Sequence, residues 1–242
     1  VLAEVLTCVQ FKLYLFHPRL ALENLQFKEL YMFGGRYVNL LRKLDELAMR
    51  TYTLVYLEVG TFNGVRAANL LDYFLSIDKN RQARYIGFDL FEDMTHEMSK
   101  AEFSKSTLPL STKAVQSTFT QTLAKKYGDR FSGARLFKGN TKETISQWKN
   151  DLGHYIEPNF IFIDGGHSLE TVDSDFRNLE HLISASNVFL MDDYYVNRVD
   201  VGCRPTIERI NKEGKYVGLP LQPIDHIPKN DLDIQLVTVY PA

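Results

Sequence analysis

Six side chains in this sequence have the type and spacing to do chemistry together: Glu58, Asp89, Asp164, Asp192, Asp193 and His167. Asp164 follows the apolar run FIFI and opens the string Asp-Gly-Gly-His-Ser, which contains His167. Asp192 and Asp193 follow a second apolar run, VFLM at 188–191, and precede Tyr194. Neighbouring parallel strands lie roughly 4.8 Å apart, so if these two runs pair, the three aspartates converge on one point. Three hard oxygen donors with few soft ligands suit an octahedral divalent ion, Mg2+ or Mn2+. The expectation is that no protein cation lies close enough to neutralise them, and like charges at that range resist full ionisation. His167 has two readings. It could cap the following helix or bond a neighbouring carboxylate, or it could contact a bound small molecule or act as general base beside the ion.

The elements that must carry these residues are legible as alternating periods. An apolar strand at 54–57 runs into Glu58, a turn containing Gly60, Thr61, Phe62, Asn63 and Gly64, and then a helix. Ala67, Leu70, Leu71 and Phe74 mark that helix at i, i+3, i+4 and i+7. Further strands are expected at 83–90, ending on Asp89, at 134–138 before Gly139-Asn140-Thr141, at 160–164 and at 188–191. Helices are expected at 169–183 and 204–211, and two last strands at 216–221 and 234–239. Strands alternating with helices imply an α/β fold, a doubly wound and mainly parallel seven-stranded sheet with both faces covered. In such sheets ligands sit outside the carboxyl ends of the strands, where all five leading strands here end in polar residues. Packing gains nothing from acids after four of those five strands. Asp89 lies 25 positions beyond Gly64, where doubly wound folds keep an acid for ribose hydroxyls.

Residues 1–50 read as a helical prefix and 51–242 as the main domain. Leu40, Leu41, Leu44, Leu47 and Ala48 form one apolar stripe, and residues 21–33 form a less regular one ended by Gly34 and Gly35. The prefix could cover a sheet face, roof a substrate site or pair with a second copy of the chain. The polar stretch 91–112, which includes His96, reads as a lid or a solvated insertion. Glu170, Asp173 and Asp175 fall on the helix after the Asp-Gly-Gly-His-Ser string and are expected to include its solvated face, and Trp148 is expected in the core.

The string Glu58-Val59-Gly60-Thr61-Phe62-Asn63-Gly64, acidic-x-Gly-x-x-x-Gly, resembles motif I of the class I S-adenosylmethionine-dependent methyltransferases. The dinucleotide fingerprint G-x-G-x-x-G is not met, because Phe62 stands at its second glycine. IDGGHS followed by LETVDSDF, and then DDY, closely resembles the metal-dependent sugar O-methyltransferases of the macrocin O-methyltransferase-like family, over residues 54 to about 213. The resemblance implies a Rossmann-like fold with an antiparallel terminal strand pair. It assigns S-adenosylmethionine to Glu58, Gly60, Thr61, Asn63, Gly64, Asp89, Leu90, Asn140, Thr141 and Asp164. Asn140 and Thr141 also read as a turn that caps the next helix. The metal falls to Asp164, Asp192 and Asp193, and catalysis to Asp164 and His167, either of which is a candidate base. A hydroxyl coordinated to such an ion becomes acidic, and a sugar diol or a catechol would chelate it. The expected activity is O-methylation of a small hydroxylated acceptor, a sugar moiety ahead of a catechol. A metal-dependent hydrolase would leave Glu58 and Asp89 without a purpose, and a non-catalytic cofactor-binding module is the third class.

Composition agrees with an ordinary globular chain of 242 residues, 45% hydrophobic and 24% charged. A net charge of −2 argues against nucleic acid as a partner. Glu4, Gln10 and Lys12 interrupt the apolar N-terminus, which argues against a membrane span. Cys8 and Cys203 make no metal or redox motif, and a reducing, cytoplasmic setting is expected.

Overall fold

The apolar runs pair into one eight-stranded sheet in the computed structural model, which describes residues 34–102, 110–150, 157–228 and 231–242. β1 (Thr53–Val59), β2 (Gln82–Asp89), β3 (Phe131–Lys138), β4 (Phe160–Ile163) and β5 (Val188–Tyr195) are parallel. β6 (Tyr216–Pro220), β7 (Asp225–Ile227) and β8 (Leu232–Pro241) complete it, with β5, β6 and β7 each antiparallel to β8. The order is β3-β2-β1-β4-β5-β8-β6, with β7 on the side of β8. Seven strands were expected. The eighth, β7, is the triplet Asp-His-Ile, too short and too polar to carry a strand signature.

The chain leaves β1 for β2 on one side and later returns to place β4 on the other. That reversal opens a crevice at the carboxyl ends of β1 and β4, the place where open α/β sheets bind ligands. Helices cover both faces: α1 (Val38–Ala48), α2 (Val65–Ile77), α3 (His96–Ala101), α4 (Thr112–Phe119), α5 (Lys125–Tyr127), α6 (Thr141–Asn150), α7 (Leu169–Leu179) and α8 (Arg204–Glu213). α4 passes into α5 through a π-helical turn, Thr120–Ala124.

Strand alternation sorts the core into two layers. Tyr56, Tyr85, Phe160 and Phe162 face α1, α2 and α4, where Leu40, Leu44, Leu47, Leu71, Phe74 and Phe119 meet them. Leu57, Val59, Phe88, Ile161 and Ile163 face the other way, onto Trp148 of α6, Phe176 of α7 and Ile207 of α8. Trp148 is therefore core, edge-on to Phe88 with centroids 5.9 Å apart. The stripe of α1 shares the first layer, so this part of the helical prefix covers a sheet face. Each of those leucines adds about 1.5–3 kcal/mol of burial. The stretch 21–33, Cys8 and the middle of the expected lid, 103–109, lie outside the described residues. Among the described residues, no helix is long and apolar enough to cross a membrane.

Candidate active site

The turn after β1 is built by two glycines in left-handed backbone conformations, Gly60 at φ 88° and Gly64 at φ 71°. A Cβ on Gly60 would overlap the carbonyl of Asp164, so the close approach that Gly60 permits is to the β4 loop. A Cβ on Gly64 would press on Phe119 and Val115, so its room serves packing against α4 and not against the strand. Asn63 Oδ1 accepts the Val65 N–H at 3.0 Å and starts α2. Asp89 ends β2 with Oδ2 accepting the Phe62 N–H at 2.7 Å and Oδ1 the Phe91 N–H at 3.0 Å. It thereby fixes the turn and the start of the next loop, beside Leu90. Asn140 Oδ1 accepts the Lys142 N–H at 3.0 Å and its carbonyl accepts from Thr144, so the capping role foreseen for this turn is present, with Thr141 opening α6.

Glu58 stands differently from the expectation. It is 2% exposed, and its carboxylate accepts from the hydroxyls of Tyr56, at 2.8 Å, and Tyr85. The Thr61 hydroxyl in turn donates to the Tyr85 hydroxyl oxygen, 3.0 Å away. Burial lifts the Glu58 carboxyl to about 7 against these hydrogen bonds. Glu58 and Thr61 thus form a buried polar network beneath the turn, and Glu58 is not open to a ligand. Asp175 of α7 is buried, 1% exposed, and is not on the solvated face. Burial raises it to about 7.

Asp164, Asp192 and Asp193 do converge, each offering an oxygen within 4.8 Å of the others. Consecutive strand residues point to opposite faces, so Asp192 and Asp193 could not both reach one point in a regular strand. The β5–β8 register shifts between Met191 and Tyr194, and Asp193 takes φ 58°. This bulge re-aims both carboxylates, and the strained Asp193 backbone is held by the Cys203 N–H on its carbonyl at 3.0 Å. His167 Nε2 meets Asp193 Oδ2 at 2.9 Å, and the Tyr195 hydroxyl donates to Oδ1 at 3.1 Å. Burial opposes the imidazolium, but the hydrogen bond and charge of Asp193 outweigh it and raise His167 above its ordinary value. His96 is an exposed residue at the start of α3.

The expectation that no protein cation neutralises the cluster is overturned. Arg36 grips Asp192 through Nε–Oδ1 at 2.6 Å and Nη2–Oδ2 at 2.9 Å, and its Nη1 reaches Asp225 at 2.9 Å. The Tyr37 hydroxyl and the Asp193 N–H also donate to Asp192, each at 2.7 Å. Burial would push the Asp192 carboxyl up, yet Arg36 and these donors bring it below its ordinary value. Arg66 Nη1 donates to Asp164 at 2.6 Å. Burial and the charge of Asp192 hold Asp164 well above the usual carboxylate range despite Arg66. Both guanidinium groups lie over the Tyr37 ring, Arg36 at 4.4 Å and Arg66 at 3.9 Å from its centroid. Sequence reasoning missed Arg36, Tyr37 and Arg66. Only Arg66 left a signal: a cation in the first turn of a helix opposes the helix dipole and calls for a reason.

A methyltransferase-domain family matches residues 57–194, which spans the turn after β1, both aspartate motifs and His167. No curated protein matches the sequence. Among solved structures, the O-methyltransferase NovP is similar at TM-score 0.52 and 17% identity, over 82% of this chain and 79% of that one. Cofactor-bound Rv0187 from MTB gives 0.49 at 12% identity, over 83% and 78%. Apo CalS11, a TDP-rhamnose 3'-O-methyltransferase of calicheamicin biosynthesis, gives 0.47 at 12%, over 92% and 89%. At 17% identity the likeness to NovP is one of fold. The family match covers more than half of the chain and falls on the crevice just described, and the chain therefore belongs to the methyltransferase-domain family, as an S-adenosylmethionine-dependent methyltransferase.

Proposed function

We propose that the chain transfers the methyl group of S-adenosylmethionine to a hydroxyl of a small acceptor, a sugar moiety ahead of a catechol. The observation that carries this is the cluster of Asp164, Asp192, Asp193 and His167 beside the β1 turn. The sulfonium methyl is already activated, so the protein must align donor and acceptor and draw a proton from the acceptor. Asp193 orients the His167 imidazole through Nε2, leaving Nδ1 as the nitrogen that can take that proton. Asp89 and the turn carrying Gly60 are the proposed cofactor side, with Asp164 between cofactor and acceptor.

The donor set fits a hard divalent ion, since three carboxylates present oxygens within 4.8 Å of one another. Asp164, Asp192 and Asp193 would hold Mg2+ or Mn2+, which would supply Lewis acidity to an acceptor hydroxyl. Arg36 supports a second reading, because both oxygens of Asp192 are already engaged by the chain's own donors. In that reading the transferase works without metal and His167 is its base.

The test is methyl transfer to sugar and catechol acceptors after exhaustive chelation, and again with Mg2+ or Mn2+ restored. The metal reading expects loss and recovery. Activity that persists in chelator and disappears in His167→Gln selects the second reading. Transfer confined to amine acceptors would refute O-methylation itself.

A further inference from the structure

We infer that Arg36 is a built-in competitor for the divalent ion at Asp192, so that metal is bound there by exchange with its guanidinium. The inference rests on the metal reading of Asp164, Asp192 and Asp193 and deepens it. An ionised carboxylate offers about four lone-pair sites, and a metal ligand must have at least one of them free. At Asp192 all four are taken. Oδ1 accepts from Arg36 Nε at 2.6 Å and from the Asp193 N–H at 2.7 Å. Oδ2 accepts from Arg36 Nη2 at 2.9 Å and from the Tyr37 hydroxyl at 2.7 Å.

These donors differ in how readily they can leave. The Asp193 N–H belongs to the bulge of β5, where the Cys203 N–H holds the Asp193 carbonyl at 3.0 Å. The other three belong to Arg36 and Tyr37, consecutive residues of the single turn Gly35–Tyr37 that leads into α1. That turn closes the cluster on one side only. The Asp192 side chain is 1% exposed, against 16% for Asp164 and 11% for Asp193. Asp164 and Asp193 can therefore be reached directly, and Asp192 only once Arg36 gives way.

A second acid is placed to keep the arginine when it leaves. Asp225 of β7 accepts from Arg36 Nη1 at 2.9 Å and from the Arg36 backbone N–H at 3.0 Å. Gly35 makes that approach possible, since at φ 59° a Cβ would overlap the Asp225 carboxylate. The contacts to Asp225 use different hydrogens from the contacts to Asp192, so they survive when Nε and Nη2 let go. Charge drives the exchange the same way. Two cations on one carboxylate repel each other, and a divalent ion brings twice the charge of a guanidinium to three acids. Until that exchange, Arg36 offsets the mutual repulsion of the cluster and keeps Asp192 ionised and aimed.

Titration of the full chain with Mn2+, with free ion read by electron paramagnetic resonance, tests this without any methyl transfer. Arg36→Gln should bind Mn2+ about 10- to 100-fold more tightly than the wild type, the value of a hydrogen bond between charged groups. Arg36→Lys, which keeps the charge but not the fork, should fall between. Binding confined to Arg36→Gln is the extreme form of the same result. Equal or weaker binding by Arg36→Gln overturns the inference, and weaker binding would mean that Arg36 aligns Asp192 for the ion. A second measurement needs only the wild type. The 15N resonance of Arg36 Nε–H, assigned by its loss in Arg36→Lys, should shift at saturating Mg2+ and return in chelator. A resonance that stays in place at saturation overturns the exchange and leaves the metal site standing. If Arg36→Gln does not fold, that resonance decides. Absence of Mn2+ binding in the wild type and in folded Arg36→Gln alike would instead overturn the metal reading, and this inference with it.

Discussion

Replacing Arg36 by alanine removes the counter-cation of Asp192 and leaves that carboxylate in place. The pair is sheltered, with side chains 12% and 1% exposed, and it is bidentate at 2.6 and 2.9 Å. Removing one partner of a buried pair costs about 3–5 kcal/mol, because the remaining charge stays out of water. Asp192 keeps the Tyr37 hydroxyl and the Asp193 N–H, so the lower end, about 3 kcal/mol, is expected at pH 7. A domain stable by about 5–15 kcal/mol survives that loss, and urea unfolding measures it. The pH dependence has a definite sign. Asp192 is held below its ordinary value, so its contribution is present above the unfolded pKa and lost as pH falls through the folded one. The difference between wild type and Arg36→Ala should therefore shrink toward strongly acid pH. Unfolding curves that coincide at pH 7 within about 0.5 kcal/mol, a surface-substitution effect, would refute the claim that Arg36 neutralises the cluster.

Two further predictions concern the turn after β1. Glu58→Gln should stabilise the protein relative to wild type as pH rises from 5 to 8. The folded carboxyl titrates near 7 against an ordinary 4.5, so the stability tied to its neutral form is complete below about pH 4.5 and lost as pH passes 7. That difference is worth up to roughly 3 kcal/mol, and parallel stability-versus-pH curves for the two proteins would contradict it. Gly60→Ala should destabilise the fold and weaken S-adenosylhomocysteine binding together, because its Cβ would collide with the Asp164 carbonyl and φ 88° suits no side chain. Thermal denaturation and calorimetry on the same sample check the pair, and an unchanged melting temperature would count against the close approach.

Much of this protein is written in local pattern. The switch from strand period to helix period after residue 57, and its repeats down the chain, determine an α/β fold without reference to any distant residue. The acids at the strand ends are equally local, because a parallel sheet puts every such end on one edge. That is why the convergence of Asp164, Asp192 and Asp193 could be read before the sheet order was known. What only the tertiary structure decided is the state of those acids. The cation on Asp192 comes from a residue 156 positions away, and the one on Asp164 from 98 positions away. A spacing pattern records neither distance nor direction for partners so remote. The same holds for Glu58, which looked like a ligand-facing acid until strand alternation and Tyr85, 27 positions on, placed it inside the core. It holds too for Asp193, whose aim depends on a bulge against β8. Residue type and period specify where charges sit along the chain, whereas burial and cross-chain pairing decide whether each is paired, protonated or open to a ligand.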